Sequence, residues 1–168
     1  MTAKTSGESV FEYYNRGYNV GVGGAVVKDG RLLLVRRASA YGRGNWQIPG
    51  GFIERTETME DAVVREVEEE AGVTSSPRGI LAIRNRLFDG SNSTYVVFQM
   101  DWVSGEPRAD GVETDRAEWF SLDEVRALKS RPSINLALAE AALGETAGLL
   151  TGKEVSSIDG DTYTLFVG

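Results

Sequence analysis

An acidic run between Glu54 and Glu70 carries most of the net charge of the chain. This run contains eight carboxylates against Arg55 and Arg65, which gives it a charge of −6, and the whole 168-residue chain carries −7. A solvated helix face is the usual explanation of an acidic run. However, closely spaced carboxylates repel one another and raise each other's pKa unless a cation lies between them. The run is therefore a candidate metal site.

Two missing residue types narrow the chemistry. The chain has no Cys and no His, so thiol nucleophiles, zinc–thiolate sites and imidazole bases are excluded. Any catalytic metal must then be a hard cation with oxygen ligands, which points to Mg²⁺ or Mn²⁺. The acidic balance also disfavours a nucleic-acid polymer as partner, because affinity for one comes largely from Lys and Arg.

The carboxylates belong to a segment with helical signals at both ends. Thr58 and Asp61 have the spacing of a capping box, and Gly72 supplies a C-terminal stop. These signals predict a helix of about 13 residues. At 100° per residue, three carboxylates share one arc beside a buried stripe: Glu66, Glu69 and Glu70.

The rest of the chain interleaves β-rich and helical patterns. Asp29-Gly30, Asp89-Gly90 and Asp159-Gly160 each predict a hairpin turn between β-rich runs. The run before Asp89-Gly90 spans residues 79–88. We expect a loop closing at 49–51, a short strand at 117–122 entering a helix, and a second, apolar helix over 133–143. The pattern predicts an α/β or α+β fold with helices on a mixed sheet.

Length and composition favour one soluble domain. We expect a single domain over residues 1–168, with a loose arm at 1–16 and a C-terminal extension at 145–168. No apolar run approaches the roughly 20 residues of a membrane helix, and the first 47 residues lack a secretory pattern. A cytoplasmic protein without a membrane partner is the expectation.

Residues 51–73, "GFIERTETMEDAVVREVEEEAGV", resemble the Nudix box, G-x5-E-x7-R-E-U-x-E-E-x-G-U with U aliphatic. Every position of the box matches: Gly51, Glu57, Arg65, Glu66, Val67, Glu69, Glu70, Gly72 and Val73. The resemblance extends over about 18–128. It implies an α/β/α sandwich and a metal-dependent pyrophosphohydrolase acting on a small nucleotide-like substrate.

The resemblance also assigns roles to residues. It implies four metal ligands, namely Glu66, Glu69, Glu70 and the carbonyl of Gly50. Arg65 matches the residue that orients the box glutamates, and Glu57 matches a loop glutamate that either binds metal through water or holds the loop. Glu113, before the "AEWFSL" strand, matches a loop glutamate that can serve as metal ligand or general base, although an ordinary acidic loop residue fits equally well. The predicted catalytic set is Glu57, Arg65, Glu69 and Glu113.

Substrate choice lies outside the box. Arg36 and Arg37 could hold phosphates, but adjacent strand residues face opposite sides, so only one can face the site. Trp46 could stack on a base, as could Tyr41 and Phe88, although a loop tryptophan at that position is more often part of the core.

The region 13–37 resembles Nudix ADP-ribose or NADH pyrophosphatases. The absence of Cys excludes the zinc ribbon of the NADH-cleaving branch, and Phe88 replaces a proline typical of ADP-ribose hydrolases. A nucleoside diphosphate linked to another moiety, resembling ADP-ribose, is the favoured substrate. The alternatives are a nucleoside triphosphate that loses pyrophosphate and a nucleotide sensor without turnover. Many relatives are dimers, so a homodimer is possible.

Overall fold

The structure is a computed structural model that describes residues 18–40, 42–88, 90–129, 134–144, 151–156 and 162–167. The predictions for residues 1–16, for Tyr41, for Asp89 of the Asp89-Gly90 turn and for the Asp159-Gly160 turn lie outside this range, as does the side chain of Phe88. Within the range, no helix has the length and apolar character needed to cross a membrane.

The described residues contain nine strands in one sheet. The strands are β1 (Tyr18–Lys28), β2 (Arg31–Arg37), β3 (Trp46–Gln47), β4 (Gly50–Phe52), β5 (Thr74–Phe88), β6 (Ser91–Ser104), β7 (Thr114–Phe120), β8 (Thr151–Ser156) and β9 (Thr162–Val167). The main order is β3-β2-β1-β6-β5-β9-β8, while β4 pairs with β1 and β7 pairs with β2. Strands β1 and β6 are parallel and the other described pairs are antiparallel. The sheet is therefore mixed, as predicted.

Helices cover both faces of this sheet. Helix α1 (Met59–Ala71) packs on one face through Val63 and Val67, against a core that includes Val22 and Met100. Helices α2 (Leu122–Ala127) and α3 (Ile134–Leu143) pack on the other face, where Leu138 is fully buried. The predicted arrangement of a mixed sheet between helices is confirmed.

The ends of α1 are those that the sequence predicts. The Thr58 hydroxyl accepts the Asp61 N–H at 3.1 Å, and the Asp61 carboxylate accepts the Thr58 N–H at 3.3 Å. Gly72 ends the helix in the left-handed region, with φ 65°. This conformation favours glycine because a Cβ would be strained there.

The hairpin turn at Asp29-Gly30 is also confirmed. Both residues have positive φ, 49° and 70°, and Lys28 pairs with Arg31 across them. Two consecutive left-handed residues form the turn whose twist matches that of the flanking strands.

Three strand predictions are wrong at their boundaries. The strand predicted at 117–122 is β7, which begins at Thr114 and ends at Phe120. The sequence predicts that β5 begins near Gly79, but it begins at Thr74 and continues through Pro77. The β5–β6 register shifts next to Pro77, and β9 pairs with β5 only from Ala82 to Leu87. Pro77 therefore lies in an irregular part of β5 that β9 does not pair with, and the absence of a backbone N–H is tolerated there. The loop predicted to close at 49–51 contains β3 and the first two residues of β4.

Close packing of α1 depends on Gly24. A Cβ at this position would lie 2.5 Å from Cγ2 of Val67, so the bare backbone of β1 sets how near the helix can approach. The sheet and the acidic helix are thereby held at a fixed separation.

We predict that Gly24→Ala lowers the free energy of unfolding by about 1–3 kcal/mol, because the added methyl overpacks the interface with α1. Urea denaturation measures this change. Gly79→Ala is the matched control, since nothing lies within 4 Å of a Cβ there. Equal stability of the two variants would contradict the role given to Gly24.

Candidate active site

One guanidinium organises the acidic helix. Arg65 donates to both carboxylate oxygens of Glu57, from Nη2 at 2.7 Å and from Nε at 3.0 Å. Its Nη1 donates to Glu66 at 2.9 Å and to Glu69 at 3.0 Å. Nη2 also donates to the carbonyl of Phe52 at 3.2 Å. A single cation therefore joins three glutamates to β4.

Glu57 holds the loop before α1. Its Oε1 accepts the N–H of Glu54 at 2.7 Å in addition to the hydrogen bond from Nη2 of Arg65. The hydrogen bond from Arg65, followed by that from Glu54, lowers the pKa of Glu57 from 4.5 to about 2. Reciprocally, the hydrogen bond to Glu57 raises the pKa of Arg65. Of the two roles predicted for Glu57, these contacts favour the loop-holding one.

Glu70 is the buried carboxylate of the site. Its side chain is 5% exposed, and its Oε2 accepts the N–H of Gly50 at 2.8 Å. Burial raises the pKa of Glu70 from 4.5 to about 7, and the charges of Glu66 and Glu113 add to this shift. The N–H of Gly50 and the charge of Arg37 act in the opposite direction but do not overcome burial.

Two glycines make room for these carboxylates. A Cβ on Gly51 would lie 2.5 Å from Oε1 of Glu66, so Glu66 occupies the space that a side chain would fill. Gly50 has φ 155° and a Cβ there would overlap the carbonyl of Val22. The turn "PGG" is thus required both by backbone conformation and by the close approach of acidic groups.

The loop that carries Glu113 is fastened to α1. The Asp110 carboxylate accepts the backbone N–H groups of Val112, Glu113 and Thr114 at 2.8–3.1 Å. Oγ1 of fully buried Thr114 lies 2.8 Å from the carbonyl oxygen of Glu70. The carbonyl of Glu113 accepts the N–H of Ala38 at 2.8 Å. This loop therefore has a fixed position beside the acidic helix.

Sequence reasoning named Glu113 but missed Asp110 and Thr114. The charge of Glu113 contributes to the raised pKa of both Glu66 and Glu70, so its carboxylate lies near them. Asp110-Gly111 is a turn signal, because an Asp side chain readily accepts backbone N–H groups a few residues ahead. That signal could have identified the loop, but not the contact between Thr114 and α1.

The predicted substrate-binding residues separate in the structure. Arg37 lies close enough to Glu70 to influence its pKa. Arg36 makes a bidentate ion pair with Asp115, at 2.7 and 2.9 Å. Trp46 packs edge-on against Phe120, with ring centroids 4.8 Å apart, in the core beneath α3. The structure brings Arg37 to the acidic groups and gives Arg36 and Trp46 other partners.

The glutamates fit a hard divalent cation, although they are not gathered around one point. Among the described residues, no three Asp or Glu side chains are clustered closely enough to bind a metal as they stand. Glu66 and Glu69 instead share Arg65, and Glu69 is 60% exposed. The donor set is nevertheless entirely oxygen, as such cations require. Buried Glu70 gains neutralisation if a cation binds, which supports the fit.

Known proteins resemble this chain in sequence. The NUDIX domain family matches residues 17–140. The ADP-ribose pyrophosphatase of Methanocaldococcus jannaschii is 34% identical over 108 residues, which cover 63% of each chain. The NAD-capped RNA hydrolase NudC of Pseudomonas aeruginosa is 34% identical over 125 residues, covering 73% of this chain and 44% of that protein.

A solved structure matches in fold as well as sequence. The MutT NUDIX hydrolase from Burkholderia pseudomallei superimposes with a TM-score of 0.65 at 31% identity, covering 74% of this chain and 97% of that one. This chain belongs to the NUDIX domain family. It spans between about two fifths and two thirds of the length of the two curated relatives described above.

The raised pKa of Glu70 predicts how the stability of the metal-free chain depends on pH. Because its pKa is raised from 4.5 to about 7, the folded chain binds more protons than the unfolded chain between these values. The free energy of unfolding should therefore fall as pH rises through this window, by on the order of 2 kcal/mol, and level off above it.

Glu70→Gln should reduce that slope, because the amide does not titrate. Urea denaturation of the metal-free chain from pH 4 to 8 measures the effect. Identical slopes in the variant and the wild type would show that Glu70 is not the buried acid described above.

Proposed function

We propose that this chain is a divalent-cation-dependent pyrophosphohydrolase that cleaves a phosphoanhydride bond in a nucleoside diphosphate derivative. The observation that carries the proposal is buried Glu70, held by Gly50 at 2.8 Å beside the glutamates that Arg65 joins. A desolvated carboxylate next to further carboxylates is a site prepared for positive charge. Membership of the NUDIX domain family supports the same reaction class.

Glu66, Glu69 and Glu70, with the carbonyl of Gly50, would hold the cation, Mg²⁺ or Mn²⁺. When bound, it would neutralise phosphate charge and help to generate the nucleophile from water. Arg65 orients Glu66 and Glu69 by direct hydrogen bonds, while Glu57 fixes the loop that leads into α1. Arg37 is the cationic side chain that we assign to substrate phosphate, because its charge already acts on Glu70.

Glu113 is proposed to remove a proton from the attacking water. The Asp110 bonds and the contact between Thr114 and Glu70 hold its backbone beside the acidic groups. A carboxylate is the natural base in a chain without His or Cys.

An ADP-ribose-like compound is the favoured substrate. The support is the 34% identity with the ADP-ribose pyrophosphatase of Methanocaldococcus jannaschii. We also propose one domain over 1–168, a cytoplasmic location and small-molecule partners. The homodimer stays a prediction.

The decisive experiment is phosphorus NMR of the products from a panel of nucleotides with Mg²⁺ or Mn²⁺. ADP-ribose should yield AMP and ribose 5-phosphate. Release of inorganic pyrophosphate from nucleoside triphosphates alone would favour the alternative reaction. Binding without turnover of any compound would favour a sensor.

Removing a proposed metal ligand should abolish turnover. Glu69→Gln and Glu70→Gln should each lower kcat by two or more orders of magnitude, as loss of a ligand misplaces cation and water. Glu68→Gln is the matched control, because it removes the same charge from an exposed position on α1. Activity that survives exhaustive chelation, or a control as damaged as both variants, would contradict the assignment.

Removing the proposed base should change kcat more than KM. Glu113→Gln should lower kcat by about 10²–10⁴, and a higher pH should restore part of it, because hydroxide needs no base. Thr114→Val, which frees the loop from α1, should give a smaller loss in the same direction. A pH–rate profile measures both, and wild-type turnover by Glu113→Gln at every pH would leave Glu113 as a solvated loop residue.

A further inference from the structure

Strand β7 has one residue too many to pair regularly with β2. Arg36 of β2 pairs with Arg116, whereas the next residue, Arg37, pairs with Thr114. Asp115 is therefore left without a partner on β2 and forms a β-bulge. Bulges often lie beside active sites, where they change the direction of neighbouring side chains. This one directly follows the loop that carries the proposed base.

The bulge decides which side chain of β7 reaches α1. Side chains alternate along a regular strand, and Ala117 packs against the core beneath α1. With regular alternation Asp115 would also face α1, and Thr114 would face away from it. Instead, Thr114 is fully buried and its Oγ1 lies 2.8 Å from the carbonyl oxygen of Glu70. The bulge therefore brings Thr114, and not Asp115, to the helix.

An ion pair holds the extra residue on the other face of the sheet. Nε and Nη2 of Arg36 donate to the two carboxylate oxygens of Asp115 at 2.7 and 2.9 Å. Val35 lies in the core beneath α1, so the next residue, Arg36, faces the opposite side. A guanidinium that meets both carboxylate oxygens fixes direction as well as distance. Asp115 is thus kept away from α1.

The bulge also sets the position of the Glu113 backbone. The carbonyl of Glu113 accepts the N–H of Ala38 at 2.8 Å, so pairing with β2 continues one residue beyond Thr114. If Asp115 took the place opposite Arg37, each preceding residue would move along the strand by one step, about 3.3 Å. A shift of this size is enough to take a catalytic group out of reach of the atom on which it acts.

We propose that Asp115 is a positioning residue for Glu113. Its ion pair with Arg36 holds the bulge, and the bulge directs Thr114 to α1. Thr114 in turn holds the loop that carries Glu113. Arg36, which the sequence offered as a phosphate ligand, then acts through Asp115. The catalytic part of this role rests on the proposed function, whereas the position of the loop can be measured without turnover.

Hydrogen exchange followed by NMR in the metal-free chain tests the position of the loop. The backbone N–H groups of Glu113 and Thr114 are bonded to Asp110. In Asp115→Ala they should exchange at least about tenfold faster than in the wild type, because local opening becomes easier. Asp115→Glu keeps the carboxylate and should stay within about threefold of the wild type. Asp101→Ala is the matched control, since it also removes a half-exposed aspartate from an ion pair with an arginine.

Turnover separates positioning from direct contact with substrate. Asp115→Ala and Arg36→Ala should each lower kcat by about tenfold and leave KM within about twofold, because they displace the base without removing a substrate contact. The double variant should be no worse than either single variant, since the two side chains act as one unit. In the Glu113→Gln background, Asp115→Ala should have no further effect.

Unchanged exchange of the Glu113 and Thr114 N–H groups in both Asp115→Ala and Arg36→Ala would overturn the positioning role, whatever the turnover. Normal kcat in Asp115→Ala, where Glu113→Gln is impaired, would also overturn it. So would a raised KM in Arg36→Ala together with a lowered KM in Asp115→Ala, which would assign Arg36 to substrate phosphate. A chain that cleaves nothing but shows the faster exchange loses the proposed function and keeps the role of Asp115 in the loop.

Discussion

The contact between Arg65 and its carboxylates is the constraint on which the candidate site depends. Without this guanidinium, Glu57, Glu66 and Glu69 would repel one another. With it, the loop, the helix and β4 share one set of hydrogen bonds. Arginine suits this position because its planar fork presents five donors in fixed directions. Lysine would supply the charge without the geometry.

A second constraint is the limited space around β4. Glycine fits there because it has no Cβ. Gly51 leaves room for Glu66 on one face, and Gly50 leaves room for Tyr95 on the other. The same three-residue strand therefore has the carboxylate of Glu66 against one face and the ring of Tyr95 against the other. Glycine at both positions therefore lets acidic groups and an aromatic ring approach one strand from opposite faces.

Much of this arrangement could be predicted from local sequence signals. The ends of α1 follow from Thr58, Asp61 and Gly72, and the first turn follows from Asp29-Gly30, because capping and left-handed conformations depend on neighbouring residues alone. The box spacing likewise identified the acidic residues. The predicted start of β5 is too late in the sequence, because a proline such as Pro77 argues against a strand. Only the fold shows that β9 does not pair with β5 at Pro77, so that its missing N–H is tolerated.

Long-range contacts could not be predicted. Nothing in the sequence near Thr114 indicates that its hydroxyl reaches the carbonyl of Glu70. The close approach of Tyr95 to Gly50 requires the registers of two strand pairs, which depend on the whole sheet. The adjacent arginines had to face opposite sides, but only the fold decided that Arg36 pairs with Asp115. The arc of Glu66, Glu69 and Glu70 follows from helical periodicity and could be predicted. Which of these carboxylates accept hydrogen bonds from Arg65 depends on the fold and could not.

The central claim is that these glutamates form a site for a divalent cation, and Mn²⁺ binding followed by electron paramagnetic resonance tests it most directly. The metal-free chain should bind Mn²⁺, and Glu66→Gln or Glu70→Gln should weaken this binding by at least about tenfold. Glu68→Gln should bind as the wild type does, because Glu68 is exposed and is rotated by about 200° around the helix axis from each of these two residues. Equal Mn²⁺ binding by all four proteins, or none by the wild type, would contradict the account.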